Sequence, residues 1–134
     1  NEGAHNAHAE SIGMTIQLPM EQFTNPFVSI EVPFYFFFTR KTAMRFGSKA
    51  FLFFPGGFGT LDELAETLTL IQTGKIDPAP VILVGVEFWT PFQEFIKNQL
   101  LPKGMISPTD LDLYTITDDE DEIMRIIIEH IQPS

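Results

Sequence analysis

A chain of 134 residues that is 44% hydrophobic and 19% charged can bury one core of ordinary size, and residues 1–134 read as a single globular domain. A formal net charge of −10 repels polyanions and argues against general nucleic-acid binding, while one small anion can still be held at a local helix end or cation. Without cysteine there is no disulfide framework and no thiolate-held metal; Asn25, Pro26, Glu31 and Pro33 interrupt the most apolar region, so no membrane span is expected and the cytoplasm is the default compartment.

Residues 1–8 read as the tail of a helix, and the weak alternation of residues 11–16 as a strand. Residues 17–26, with two prolines, form a loop long enough to be functional, and the aromatic stretch 28–38 contains a second strand. Thr39 can cap a short helix over residues 40–46 that Gly47 ends. The continuous apolar runs 50–54 and 81–84 have the look of strands buried on both faces of a parallel sheet. Between them Leu61, Leu64, Leu68 and Ile71 recur at helical spacing until Gly74, which completes a βαβ unit. Thr90 and Pro91 supply an N-cap and a first-position proline for a helix to about residue 101, residues 113–117 a last strand, and residues 118–131 a final helix. The acidic run from Asp118 to Glu122 complements the dipole at that helix's start, as His130 does at its end. Such alternation predicts an α/β, Rossmann-like open parallel sheet with helices on both faces and ligands beyond the C-terminal strand ends. Fourteen phenylalanines mostly fill the core, with some directed outward from the strands.

The most informative segment is Pro55-Gly56-Gly57-Phe58-Gly59-Thr60-Leu61-Asp62-Glu63, set where a strand turns into a helix. Glycines there permit positive φ and close approach to a ligand, and the free amides and dipole of the helix start favour a phosphate, to which Thr60 can add its hydroxyl. Glycines that serve only the turn are the plainer alternative. Glu63 also has two readings at this level: a carboxylate acting on a sugar, or the far half of a capping box with Thr60. The loop lacks the Gly-Lys-[Ser/Thr] ending of a triphosphate loop and the spaced third glycine of a dinucleotide fingerprint, which disfavours ATP and NAD. Arg40 and Lys41 read either as an exposed pair on a helix start or as cations awaiting an anion, either a nucleotide phosphate or Glu63. Glu66, one turn beyond Glu63, reads chiefly as a solvated or structural residue. His5 and His8 could share a helical face, but no matching ligand set accompanies them and no metal is expected; the acidic run lacks the glycine and spacing of a calcium loop.

The nonameric loop, with Ser11-Ile12-Gly13, Leu18-Pro19, Glu21-Gln22, Asn25-Pro26, Arg40-Lys41, Leu70 to Lys75 and Asp110-Leu111, resembles the LOG family of cytokinin riboside 5′-monophosphate phosphoribohydrolases, also described as lysine decarboxylase-like. Members of that family begin with a strand, a helix and a second strand ending in a glycine-rich turn; this sequence is expected to start after them, with an N-terminally incomplete sheet. The resemblance implies hydrolysis of the N-glycosidic bond of a nucleoside 5′-monophosphate to a free base, cytokinin or another purine or pyrimidine, and ribose 5-phosphate. It implies that Arg40 contacts the substrate and supports catalysis, and that Glu63 stabilises or deprotonates at the ribose. Lys41, Pro55, Gly56, Gly57, Gly59 and Thr60 would then hold the phosphate. It implies no cofactor and a homodimer or higher homo-oligomer. A non-catalytic nucleotide-binding or sensing protein is the other reading, and amino-acid decarboxylation a weaker one, because neither Lys41 nor Lys75 has a setting suited to a Schiff base.

Overall fold

The computed structural model describes residues 1–18 and 23–132, which form an α/β fold of parallel strands in two small sheets flanked by helices, the Rossmann-like arrangement expected. Backbone proximity gathers the chain into two compact units, Asn1–Gly47 and Ser48–Ser134. No helix of the described residues is long and apolar enough to cross a membrane.

In the first unit, helix α1 (Glu2–Asn6) precedes strands β1 (Ile12–Ile16) and β2 (Ile30–Phe34), which pair in parallel from Ile12↔Ile30 to Ile16↔Phe34. Small and hydroxylic residues fix this pairing. A Cβ at Gly13 would stand 3.0 Å from Val28 Cγ1, so the glycine lets the β2 approach pack closely. Ser29 Oγ donates to Ser11 O at 2.9 Å and accepts from Ser11 N at 2.7 Å, and Ser11 Oγ donates to Phe27 O at 2.9 Å. Thr15 and Thr24 both donate to Glu31 Oε1, at 3.2 and 2.8 Å. Of the predicted loop, Pro19, Glu21 and Gln22 lie outside the described residues.

Helix α2 (Phe37–Arg45) begins three residues earlier than expected, after an extended Phe36. Thr39 is therefore no cap: it sits inside the first turn and donates to Phe36 O at 2.9 Å. Gly47, at φ +77°, follows the helix as the pattern implied.

The second unit holds β3 (Phe51–Phe53), α3 (Phe58–Gln72), β4 (Val81–Leu83), α4 (Val86–Phe95), a 3-10 turn (Pro108–Leu113), β5 (Thr115–Ile116) and α5 (Glu120–Ile131). Its sheet runs β3-β4-β5, all parallel. Val81, Ile82 and Leu83 are all buried, as a central strand covered on both faces requires. The outer β3 departs from that expectation, since Leu52 is 40% exposed. Leu64, Val81, Leu83, Trp89 and Tyr114 form the core, with Phe51, Phe53, Leu68, Ile71 and Phe92 packed around them.

Two expectations fail here for physical reasons. Helix α4 starts at Val86, not at Thr90, and Pro91 lies inside it; a π turn, Ile96–Leu100, continues it. Its start is set by Gly85 at φ +110°, with first amides that are satisfied from elsewhere in the fold, as described below. The phenylalanine-rich stretch does not fill a core: Tyr35, Phe36, Phe37 and Phe38 are all more than half exposed. Consecutive side chains spanning a strand end, a bend and a first helical turn point in too many directions for one core to take them.

Candidate active site

Three parallel strands in the order β3-β4-β5 bring their C-terminal ends to one edge of the sheet, where open α/β sheets bind ligands. Just beyond those ends stand Pro55, Gly85 and Asp118.

The loop from Pro55 to Gly59 is exposed and runs into α3 with Gly57 as an extended N-cap, φ −93° and ψ −155°. None of its three glycines takes the positive φ expected of them. Gly56 is required for a steric reason: a Cβ there would stand 2.9 Å from Thr60 Cβ and closer still to the hydroxyl. A Cβ at Gly57 or Gly59 would meet nothing within 4 Å, so both present open backbone.

Thr60 is the third helical residue of α3, which rules out the capping box: its side chain is not at the N-cap, and Gly57, which is, has none to offer. Glu63 lies one turn on from Thr60, half-buried, on the strip that continues to the buried Thr67. Glu66 is half-buried as well.

Helix α4 is treated differently. Asp118 accepts from Gly85 N at 2.5 Å, and both its oxygens accept from Val86 N at 3.1 Å. Gly85 also presents its bare face to the loop, since a Cβ there would stand 2.9 Å from Pro55 Cγ. Helix α5 caps itself through Asp119, whose Oδ1 accepts from Asp121 N at 3.0 Å and Glu122 N at 3.3 Å. Carboxylates thus occupy the starts of α4 and α5, while α3 opens on glycine.

Arg40 and Lys41 belong to the first unit, on α2. They are not the exposed helix-start pair of the plainer reading: both are half-buried and follow three helical residues. Arg40 Nε donates to Met14 O at 2.7 Å, which ties the guanidinium to β1. His5 packs against Phe27 at 5.5 Å between ring centroids. Among the described residues no group of three or more His, Asp or Glu side chains is placed to hold a metal.

Two segments that carried the sequence resemblance also meet. Gln72 Nε2 donates to Asp110 Oδ2 at 2.8 Å, and the same oxygen accepts from Ser107 N at 2.7 Å in the capping box of the 3-10 turn. The Ser107 amide first, and Gln72 second, hold the Asp110 carboxyl below its ordinary value of 3.8.

A family model described as "possible lysine decarboxylase" matches residues 1–127. The chain belongs to this family. Several plant relatives carry the LOG name. The cytokinin riboside 5′-monophosphate phosphoribohydrolase LOG1 of Arabidopsis thaliana is 34% identical over 93 residues, 69% of this chain and 43% of that protein. The enzyme named LOG from Oryza sativa subsp. japonica is 47% identical over 69 residues, 51% of this chain and 28% of that protein. The phosphoribohydrolase of the same description from Mycobacterium tuberculosis is 33% identical over 93 residues, 64% of this chain and 46% of that protein. The matched region thus spans less than half the length of each of these relatives.

Sequence reasoning missed Gly85 and the partner of its turn. A glycine directly after the apolar run 81–84 was the available signal, but Asp118 was readable only as part of the acidic start of α5.

Proposed function

We infer that this chain, working as one nucleotide-binding domain, is a phosphoribohydrolase that cleaves the N-glycosidic bond of a nucleoside 5′-monophosphate, a cytokinin riboside monophosphate foremost. The observation that carries this reading is the start of α3: glycine backbone, open at Gly57 and Gly59, at the C-terminal edge of the sheet, beside two helix starts already filled by Asp118 and Asp119. A 5′-phosphate suits such an end, because unsatisfied amides and the helix dipole reward an anion. The reaction class is that of the relatives, which are phosphoribohydrolases by name.

In this reading Pro55, Gly56, Gly57, Gly59 and Thr60 hold the phosphate; for Lys41 a phosphate contact, and for Arg40 a substrate contact that supports catalysis, rest on the family resemblance alone. Water adds its oxygen to C1′ as the C1′–N bond breaks. Glu63 accepts one proton of that water and stabilises the positive charge that develops at C1′, while the departing base takes up a proton from solvent and Glu63 afterwards returns its own to solvent. The compartment proposed for this activity is the cytoplasm. The exposed aromatic side chains from Tyr35 to Phe38 suit burial in a homodimer or larger homo-oligomer, which sedimentation would detect.

The test is chromatography of AMP, a cytokinin riboside monophosphate and adenosine after incubation with the protein. Free base and ribose 5-phosphate are expected from the monophosphates. Binding of AMP without base release would mark a nucleotide-binding or sensing protein instead. Equal affinity for AMP and adenosine in isothermal titration would overturn the phosphate assignment.

A further inference from the structure

We propose that Asp118 is a positioning residue for the glycine loop, acting through Gly85 and Pro55. Three observations in the same unit carry this. The carboxylate binds the amides of Gly85 and Val86, at 2.5 and 3.1 Å. Those bonds hold Gly85 at φ +110°, a conformation that side-chain-bearing residues rarely adopt. In that conformation its bare face receives the Pro55 ring, which a Cβ would approach to 2.9 Å. Pro55 in turn fixes φ at the entry of the loop that becomes the first turn of α3. A carboxylate at the end of β5 therefore sets the shape of a loop at the end of β3, across the intervening β4. That the loop receives a phosphate rests on the functional reading above; that Asp118 shapes it does not.

Asp119 is a built-in control. It has the same charge and is the neighbouring residue, and its carboxylate also caps a helix, but it touches α5 and not Gly85. Hydrogen exchange of the ligand-free protein should show the amides of residues 56–60 opening about tenfold faster in Asp118→Ala and unchanged in Asp119→Ala. Pro55→Ala, which leaves the Asp118 bonds in place, should loosen the same amides. Isothermal titration should then show Asp118→Ala binding AMP about tenfold more weakly. Adenosine affinity should be unchanged, and Asp118→Asn, which keeps an accepting oxygen, should restore most of the loss for AMP. Wild-type loop exchange in Asp118→Ala or in Pro55→Ala, or equal effects of the Asp118 and Asp119 variants, would overturn the proposal. Failure of the wild-type protein to prefer AMP over adenosine would strike the functional reading alone, with the exchange rates still deciding the role of Asp118.

Discussion

The side chain of Thr60 lies over the bare Cα of Gly56, so that any Cβ at residue 56 would stand 2.9 Å from Thr60 Cβ. Gly57, one residue on, faces open space. Adjacent glycines in one loop thus exist for different reasons, the first to admit a threonine and the second to leave backbone bare.

That difference separates folding from binding in two substitutions. Gly56→Ala should cost ~1–3 kcal/mol by overpacking against Thr60, read as a lower urea midpoint. Gly57→Ser places a good N-cap at the start of α3 and should leave stability within about 0.5 kcal/mol of wild type or raise it. Its hydroxyl would compete for the amides that a phosphate needs, so AMP affinity should fall. Unchanged AMP affinity in Gly57→Ser would show that the helix start is not the phosphate subsite.

Glu63→Gln removes the carboxylate while leaving the loop intact. Turnover of a nucleoside monophosphate should be nearly abolished with AMP affinity within a few-fold of wild type, the pattern of a group that acts on the transition state. Because Thr60 is not the N-cap, a capping role cannot account for such a loss. Retained base release in this variant would remove Glu63 from the mechanism.

On the acid side, Asp110 titrates below its ordinary 3.8 because the Ser107 amide and Gln72 bind its ionised form. A lowered folded-state value means that the unfolded chain takes up the proton first. Stability from this group is therefore present above the unfolded value and is lost as pH falls through the folded one. Urea midpoints of wild type and Asp110→Asn should differ at pH 6, and the gap should shrink as pH falls below the ordinary 3.8 and through the lowered folded value. A constant gap across that range would show that the charge plays no part.

On the alkaline side, burial raises the Tyr114 phenol above its ordinary 10.0, and its hydroxyl has no hydrogen-bond partner among the described residues. The unfolded chain loses this proton first, so the contribution of Tyr114 is intact below about pH 10 and declines as pH climbs toward the folded value. Tyr114→Phe discards a buried polar group that no partner satisfies and should be neutral or stabilising by up to ~1 kcal/mol at pH 7. It should also flatten the alkaline loss of stability. A loss of more than 1 kcal/mol at pH 7, measured by urea unfolding, would mean that the hydroxyl is satisfied in solution.

Local signals made much of the second unit legible. The run 81–84 had to be a buried strand, and Leu64, Leu68 and Ile71 had to face a core, because apolar periodicity is dictated by the element itself. Thr90-Pro91 misled because the group that starts α4 lies 33 residues from Gly85 in sequence, where no window could see it. The positions of the loop glycines were readable but their cause was not: backbone dihedrals and the seat of Thr60 over Gly56 are facts of three dimensions. The aromatic stretch failed for the opposite reason, since composition implies burial without saying whether an element can accomplish it.

A helix start built from glycine also has a consequence for how this edge can be dissected. Alanine scanning deletes side chains, and residues 56, 57 and 59 have none to delete, so that method would pass over the segment and credit its neighbours. Whatever the main chain of this loop does is visible only to changes that add atoms or alter the backbone itself. Amide-to-ester replacement at Phe58, Gly59 and Thr60, introduced by semisynthesis, would remove one N–H at a time and leave the residue-by-residue outline of the loop almost untouched.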